Sequence, residues 1–354
     1  LPNWSKFKER VEEIHSSGIL TNNGPMVQAL EAEVCKQLNV DHCVAVGNAT
    51  LGLYLALLVS GIPRGSEILV PSFTFIATIL QAGLIPHFVD IDSDAGRMQR
   101  SIKHLINDKV KGMVVPNLFG LAADPELFES VADVNKIKLI FDSAHGLGSS
   151  FRNRPLGSFG DCEVFSLHAT KLINGFEGGL ITTNKANLAN QLRKVRNFGF
   201  DPGAGLHGDV VSFGTNAKLS EIHAAMALTN LECKDELISH NKLIHDTYES
   251  LLPFPFRLVS KPPLSIQSNY SYVTTLSSPT TRDKVLDYLI DKGTFARIYF
   301  TPAHHNTALY RHLAQKSDLR KTEFIARRVM CLPTGLSISI EDVKIICGQI
   351  KRGL

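Results

Sequence analysis

The chain has 354 residues, 44% of them hydrophobic, enough to bury a sizeable core and to divide into one larger and one smaller domain. Its 37 basic and 34 acidic residues leave a net charge of +3, and no basic run is interleaved with aromatics, which argues against a nucleic-acid partner. No apolar run reaches bilayer length, the start of the chain lacks a signal peptide's charged and hydrophobic regions, and six scattered cysteines show neither metal-site pairing nor disulfide density, so a cytoplasmic protein without membrane association is expected. The opening Leu1, in place of a methionine, points to residues preceding it.

Short apolar runs of strand character alternate with helical patterns from the start: 42–46, 67–71, 85–91, 112–116 and 138–142 read as strands. This alternation predicts a largely parallel sheet covered by helices, with ligands bound where the loops gather at the carboxyl ends of the strands. After the first strand, Gly47-Asn-Ala-Thr50 leads into a helical pattern over 51–59. A helix start there offers unpaired amides to an anion, and Thr50 adds a hydroxyl. Taken alone, Thr50 reads as a simple N-cap. Pro71-Ser-Phe-Thr-Phe75 ends the second strand, where Phe75 is placed to cover a flat ring and Phe73 is assigned to the core.

The run Lys138-Leu-Ile-Phe-Asp142 ends a buried strand on a carboxylate, which calls for a partner. His145 follows three residues later, within reach of the same ligand. Strands are expected again at 161–167 and 180–183, bracketing the loop Ser166-Leu-His-Ala-Thr-Lys171-Leu-Ile-Asn-Gly-Phe-Glu-Gly-Gly179. Taken alone, Lys171 would be a solvated surface lysine. Its small, polar and glycine neighbours, together with Asp142 at a strand end, suit pyridoxal phosphate, whose Schiff-base lysine works with an acid on the pyridine nitrogen. Ser166 is near enough to reach the phosphate, with His168 as the competing polar residue, and Glu177 is assigned to a turn.

Residues 218–232 read as a long helix, with apolar positions 219, 222, 226 and 228, leading into the second domain. The glycine-rich turn 201–208 is expected to be mobile. Beyond Pro253, Pro255, Pro262 and Pro263, a strand at 270–276 and a helix at 282–292 suit a smaller α/β domain. The division is set at 1–235 and 236–354.

Gly47-Asn-Ala-Thr50, Pro71-Ser-Phe-Thr-Phe75, Phe141-Asp-Ser-Ala-His145 and Ser166-Leu-His-Ala-Thr-Lys171 together resemble the DegT/DnrJ/EryC1/StrS sugar-aminotransferase family. Ser17-Gly-Ile-Leu-Thr-Asn-Asn-Gly-Pro25, Arg196-Asn-Phe-Gly199, Gly214-Thr-Asn-Ala-Lys-Leu-Ser-Glu221 and Tyr299-Phe-Thr-Pro-Ala-His304 extend the likeness over almost the full length. The resemblance implies a fold type I pyridoxal-phosphate transferase, α/β, with a mostly parallel sheet in its large domain, working as a homodimer with shared active sites. It makes Lys171 the Schiff-base lysine and Asp142 the partner of the ring nitrogen. His145 then lies near the cofactor hydroxyl and Phe75 stacks on the ring. Thr50, Leu51 and Ser166 become cofactor-phosphate contacts, and Asn216 reaches the phosphate of the neighbouring subunit.

Relatives that remove a hydroxyl group carry histidine at the lysine position, so Lys171 points to transamination. Glutamate is the implied amino donor and a nucleotide-linked keto sugar the acceptor. Gly199-Phe200 and the 214–218 segment resemble members that aminate C4 of dTDP-4-keto-6-deoxy-D-glucose. A C3 aminotransferase of the same family and a non-catalytic pyridoxal-phosphate-binding regulator are the alternatives. Phe300 and Ala303 depart from the family pattern, and Tyr299 and His304 are given no role.

Overall fold

The computed structural model describes residues 3–75, 77–92, 96–201, 208–252, 265–312, 315–316 and 318–354. The glycine-rich turn expected at 201–208 and the four prolines between 253 and 263 fall mostly or wholly outside the described residues. Helices α1 (Trp4–Ser17) and α2 (Pro25–Leu38) precede β1 (His42–Val46), α3 (Ala49–Val59), β2 (Glu67–Pro71), α4 (Ala77–Gln81), β3 (Ile85–Val89) and β4 (Val110–Pro116). Then come α5 (Pro125–Asn135), β5 (Lys138–Asp142), the short β6 (Ser150–Phe151) and β7 (Arg154–Pro155), β8 (Cys162–Ser166), β9 (Gly179–Thr183) and α6 (Ala186–Arg196). The chain continues through α7 (Glu221–Glu232), α8 (Lys234–Leu251), β10 (Ser265–Ile266), β11 (Tyr272–Thr275), α9 (Pro279–Asp291), β12 (Gln315–Lys316), α10 (Arg320–Ala326), β13 (Val329–Leu332) and α11 (Ile340–Gly353).

The main sheet runs β1-β9-β8-β5-β4-β2-β3-β12. Its pairings from β8 to β12 are parallel, and only those of β9 with β1 and β8 are antiparallel. Strand alternation explains why the runs are apolar throughout. Cys43, Leu69, Met113, Leu139 and Phe141 join the core beneath α1, α2, α5 and α7. Val44, Ile68, Val114, Ile140 and Val164 join the core beneath α3, α4 and α6. A strand buried on both faces has no polar side to show.

Two elements depart from the sequence expectation for identifiable reasons. The helix expected at 218–232 begins at Glu221, because the preceding segment is extended: Gly47 N–H donates to Ala217 O at 2.8 Å, and Val46 bridges Lys218. Ile222, expected on the apolar face, is exposed. Glu221 is fully buried and its carboxylate accepts from Met26 N (2.7 Å) and Val27 N (3.2 Å), capping the positive end of α2. The strand expected over 85–91 stops at Val89, and Asp90 instead accepts from Lys321 N (3.2 Å) and Thr322 N (2.8 Å) at the start of α10.

A small antiparallel sheet runs β10-β6-β7, and a separate antiparallel pair is β11-β13. Ile244, Tyr248, Val285, Leu289, Ile346 and Ile350 of α8, α9 and α11 pack with Tyr272 and Met330 into a separate core. The chain nevertheless returns to the first sheet: β12 pairs with β3, and Tyr310 and Leu319 join the α3-side core. A mixed cluster of Phe73, Leu118 and Phe119 with Val273, Ile325 and Cys331 seals the two units together. Ser72 Oγ lies 2.7 Å from His305 Nδ1, and His305 Nε2 lies 3.1 Å from Glu323 Oε1, a polar clasp across the same seam. Among the described residues no helix is long and apolar enough to cross a membrane.

Candidate active site

The carboxyl ends of β1, β5 and β8 deliver the site. At β1, Asn48 rather than Thr50 caps α3, its Oδ1 accepting from Leu51 N at 2.9 Å. This corrects the reading of Thr50 as the cap, and it leaves the Leu51 amide engaged. The amides of Ala49 and Thr50 have no intrahelical acceptor and Thr50 is half-buried, so the helix start keeps an anion-facing donor set. Gly179 makes the close approach possible: a Cβ there would lie 2.6 Å from Asn48 C and 2.7 Å from Ala49 N. Ser166, at the end of β8, is half-buried, and its Oγ accepts from His168 N at 3.3 Å.

Asp142 is 6% exposed and its Oδ1 accepts from Ala144 N at 3.1 Å. Among the described residues its Oδ2 receives no hydrogen bond. Burial pushes this carboxyl up to about 6, opposed by the Ala144 amide and by the charge of Lys171. Burial likewise holds Lys171 down to about 8, with Asp142 pulling it up and Arg297 pushing it further down. The two groups thus face one another across one site, each moved toward neutrality.

The turn carrying Asp142 is locked from behind. Asn117 N donates to Asp142 O (2.9 Å), and Ser143 N donates to Val164 O (2.8 Å). The Ser143 hydroxyl donates to Glu163 Oε2 at 2.5 Å and accepts from Asn117 Nδ2 at 2.8 Å. Glu163 is fully buried, accepts also from Gly157 N (2.5 Å) and Phe159 N (3.0 Å), and is raised by burial to about 7. His145 Nδ1 accepts from Phe119 N at 3.1 Å, which requires the proton of the neutral ring on Nε2. Burial and the Lys171 charge hold that imidazole well below its usual range. Phe119 adopts the left-handed φ of 57° in presenting that amide.

The Lys171 loop is looser. Lys171 N donates to His168 O (2.8 Å) and Gly175 N to Leu167 O (2.8 Å), while His168, Ala169 and Glu177 are exposed. His168 Nδ1 meets Thr170 Oγ1 at 2.9 Å, so His168 serves the loop itself. Lys171 Nζ lies 5.2 Å from the Tyr270 ring, and Tyr270 stacks on His145 at 4.7 Å. The Tyr270 hydroxyl is hydrogen-bonded to Thr170 and Tyr299. A cavity of about 630 Å³ opens beside Lys171, lined also by Thr170, Tyr270 and Tyr299. Tyr270, Asn117, Ser143 and Glu163 were not anticipated. Asn117 and Ser143 carried a signal, each a polar residue directly after a buried strand.

Phe73 is fully buried, as assigned, and Phe75 is 53% exposed. Asn216 is exposed and pairs with Asn197 away from this cavity, so one protomer does not bring it to Lys171. Among the described residues no group of three or more metal-ligating side chains exists. The donor set fits pyridoxal phosphate: a helix start with Thr50 and Ser166 for the phosphate, an acid of raised pKa at a strand end for the ring nitrogen, and a lysine of depressed basicity for the carbonyl carbon.

Comparison with known proteins agrees. The DegT/DnrJ/EryC1/StrS aminotransferase family matches residues 4–351. The chain is 31% identical to a GDP-perosamine synthase of Escherichia coli O157:H7, over 98% of this chain and 95% of that one. It is 29% identical to a dTDP-4-amino-4,6-dideoxy-D-glucose transaminase of Shigella dysenteriae, over 99% and 96%. The crystal structure of DesI in the presence of its TDP-sugar product superposes with a TM-score of 0.91 at 35% identity, covering 99% of this chain and 90% of that one. With the lysine, the strand-end carboxylate and the helix start of a pyridoxal-phosphate site in place, the chain belongs to the DegT/DnrJ/EryC1/StrS family and is a pyridoxal phosphate-dependent sugar aminotransferase.

Proposed function

We propose that this enzyme moves the amino group of glutamate to C4 of a nucleotide-linked 4-keto-6-deoxy hexose, with dTDP-4-keto-6-deoxy-D-glucose as the preferred acceptor. The observation that carries the chemistry is Lys171, held down to about 8, facing Asp142, whose Oδ2 has no donor among the described residues. C4 as the position, and dTDP as the carrier, are supported by the likeness to a dTDP-4-amino-4,6-dideoxy-D-glucose transaminase; the likeness to a GDP-perosamine synthase makes the carrier a matter for the test.

Bound in this site, pyridoxal phosphate supplies an electron sink for the pair released when a bond at the amine-bearing carbon breaks. The residues do the rest. Asp142 Oδ2 accepts the ring N–H and keeps that nitrogen protonated. His145, locked as the Nε2–H tautomer, offers a donor to the cofactor hydroxyl. The amides at the start of α3, Thr50 and Ser166 hold the phosphate, and Phe75 covers the ring. Lys171 Nζ, with a substantial neutral fraction near pH 8, takes the proton from the donor's α-carbon and returns one to C4 of the acceptor in the second half.

Asn216 completes the site from a second copy in this reading. Its exposure, beside exposed Phe198, Val211 and Phe213, supports an interface there. The test is the visible absorbance of the pyridoxal-loaded protein on adding dTDP-4-amino-4,6-dideoxyglucose, its GDP-linked counterpart, or a 3-amino isomer. Bleaching by the dTDP-linked 4-amino sugar supports the proposal. Bleaching by the 3-amino isomer alone moves the reaction to C3, and bleaching by the GDP sugar alone changes the carrier.

A further inference from the structure

The cavity beside Lys171 has an unbalanced charge lining. Its ionisable walls are Lys171, Lys292, Arg297 and Asp342, three cations against one anion. Lys292 is engaged by Asp291 at 2.7 Å, and Asp342 by the hydroxyl of Ser339 at 2.6 Å in the capping box of α11. Arg297 has no ion pair or side-chain hydrogen bond among the described residues. Its backbone is nevertheless fixed, since Arg297 N donates to Cys331 O (2.9 Å) and Cys331 N donates to Arg297 O (2.7 Å) against β13. Arg297 and Tyr299 stand two apart on this extended segment and both line the cavity, whereas Ile298 between them does not.

We propose that Arg297 is the anchor for the α-carboxylate of the amino donor, an inference that rests on glutamate being that donor. Two cations sharing a cavity repel until an anion joins them, and Arg297 is close enough to Lys171 to depress its basicity. The planar guanidinium fork suits a carboxylate held by two parallel hydrogen bonds. The donor's α-carboxylate is bonded to the carbon whose amine must meet the group held by Lys171, so it comes to rest near that lysine. The diphosphate of a nucleotide-linked sugar hangs from C1, across the ring from C4, and is carried away from Lys171 when C4 reacts. Proximity to Lys171 therefore selects the carboxylate over the diphosphate.

The experiment titrates the visible band of pyridoxal-loaded wild type, Arg297→Gln and Arg297→Lys with L-glutamate, and separately with dTDP-4-amino-4,6-dideoxyglucose. Charge-assisted hydrogen bonds of ~1.5–3 kcal/mol predict a half-saturating glutamate concentration raised roughly 10- to 100-fold in Arg297→Gln. Arg297→Lys, keeping charge without the fork, is expected to fall between. The amino-sugar titration and the retention of cofactor on gel filtration are expected to stay unchanged in both. An unchanged glutamate titration in either variant overturns the assignment, as does a shift of the amino-sugar titration equal to or larger than that for glutamate. A wild-type protein inert to glutamate overturns both the donor reading and the anchor, whereas a responsive wild type with unresponsive variants supports both.

Discussion

The two loops that carry the site's central pair are built in opposite ways. The turn after β5, with Asp142, Ser143 and His145, is buried, and its peptide groups and side chains are held by Asn117, Phe119, Val164 and Glu163. The loop after β8, with Lys171, is held at fewer points, by backbone bonds within it, the His168–Thr170 contact, Thr170 on the Tyr270 hydroxyl and Asn230 Nδ2 donating to Asn174 O, while His168, Ala169, Phe176 and Glu177 are exposed. The contrast matches the tasks. In the proposed roles, a carboxylate that keeps one proton on one ring atom gains from fixed geometry, whereas a lysine that attaches, releases and carries protons needs reach.

The sharpest way to break this comparison is Lys171→Ala. Loss of the acid–base and covalent group predicts a fall in transamination of at least ~10³-fold, measured as 2-oxoglutarate formed from glutamate. Because a cationic Lys171 is held below its usual basicity in the folded chain, its removal should leave the urea midpoint of the cofactor-free protein near pH 7 unchanged or raised. A large loss of stability would show the loop to be as structural as its neighbour.

Ser143→Ala attacks the locked side. It removes a donor from the buried Glu163 carboxylate and an acceptor from Asn117, with an expected cost of about 1–3 kcal/mol in chemical denaturation. His168→Ala, at an exposed position of the loose loop, is the control, expected within about 0.5 kcal/mol. Equal costs would erase the distinction.

A smaller effect comes from pH. In the cofactor-free protein Lys171 titrates near 8 against 10.5 when unfolded, so between those values the unfolded chain binds more protons and stability rises with pH. Asp142 titrates near 6 against 3.8, and Glu163 near 7 against 4.5, so there the folded chain binds more protons and stability falls as pH rises through those windows. His145, held low, and the buried Cys43, Cys162 and Cys331, held high, titrate in the same windows with the opposite sign, so the acid and alkaline limbs contributed by Lys171, Asp142 and Glu163 are read by difference from variants that lack them. Urea titrations across pH should show Lys171→Ala losing the alkaline limb and Asp142→Asn losing part of the acid one. Variant profiles parallel to that of the wild type would mean that neither loop shifts its groups as the burial implies.

Lys171, Asp142 and the helix start after β1 were legible from the chain because each is announced locally: a strand's apolar run, the polar residue that ends it, the small residues of the loop that follows. The same local signals located the strands to within two residues or so, and the few misplacements arose where a distant segment intervened, as when β1 held 217–218 extended and delayed α7. The sequence by itself determined the doubly buried strands, their loops and the cofactor class, since continuous apolar runs and strand-end chemistry act over a few residues. The tertiary structure decided that Glu163 stands behind Ser143, that Glu221 caps α2 by accepting from Met26 N, 195 positions earlier, and that Tyr270 and Arg297 close on Lys171 from the second unit. Those partnerships depend on which strands lie side by side and how two units meet, and neither is written in any short stretch of chain.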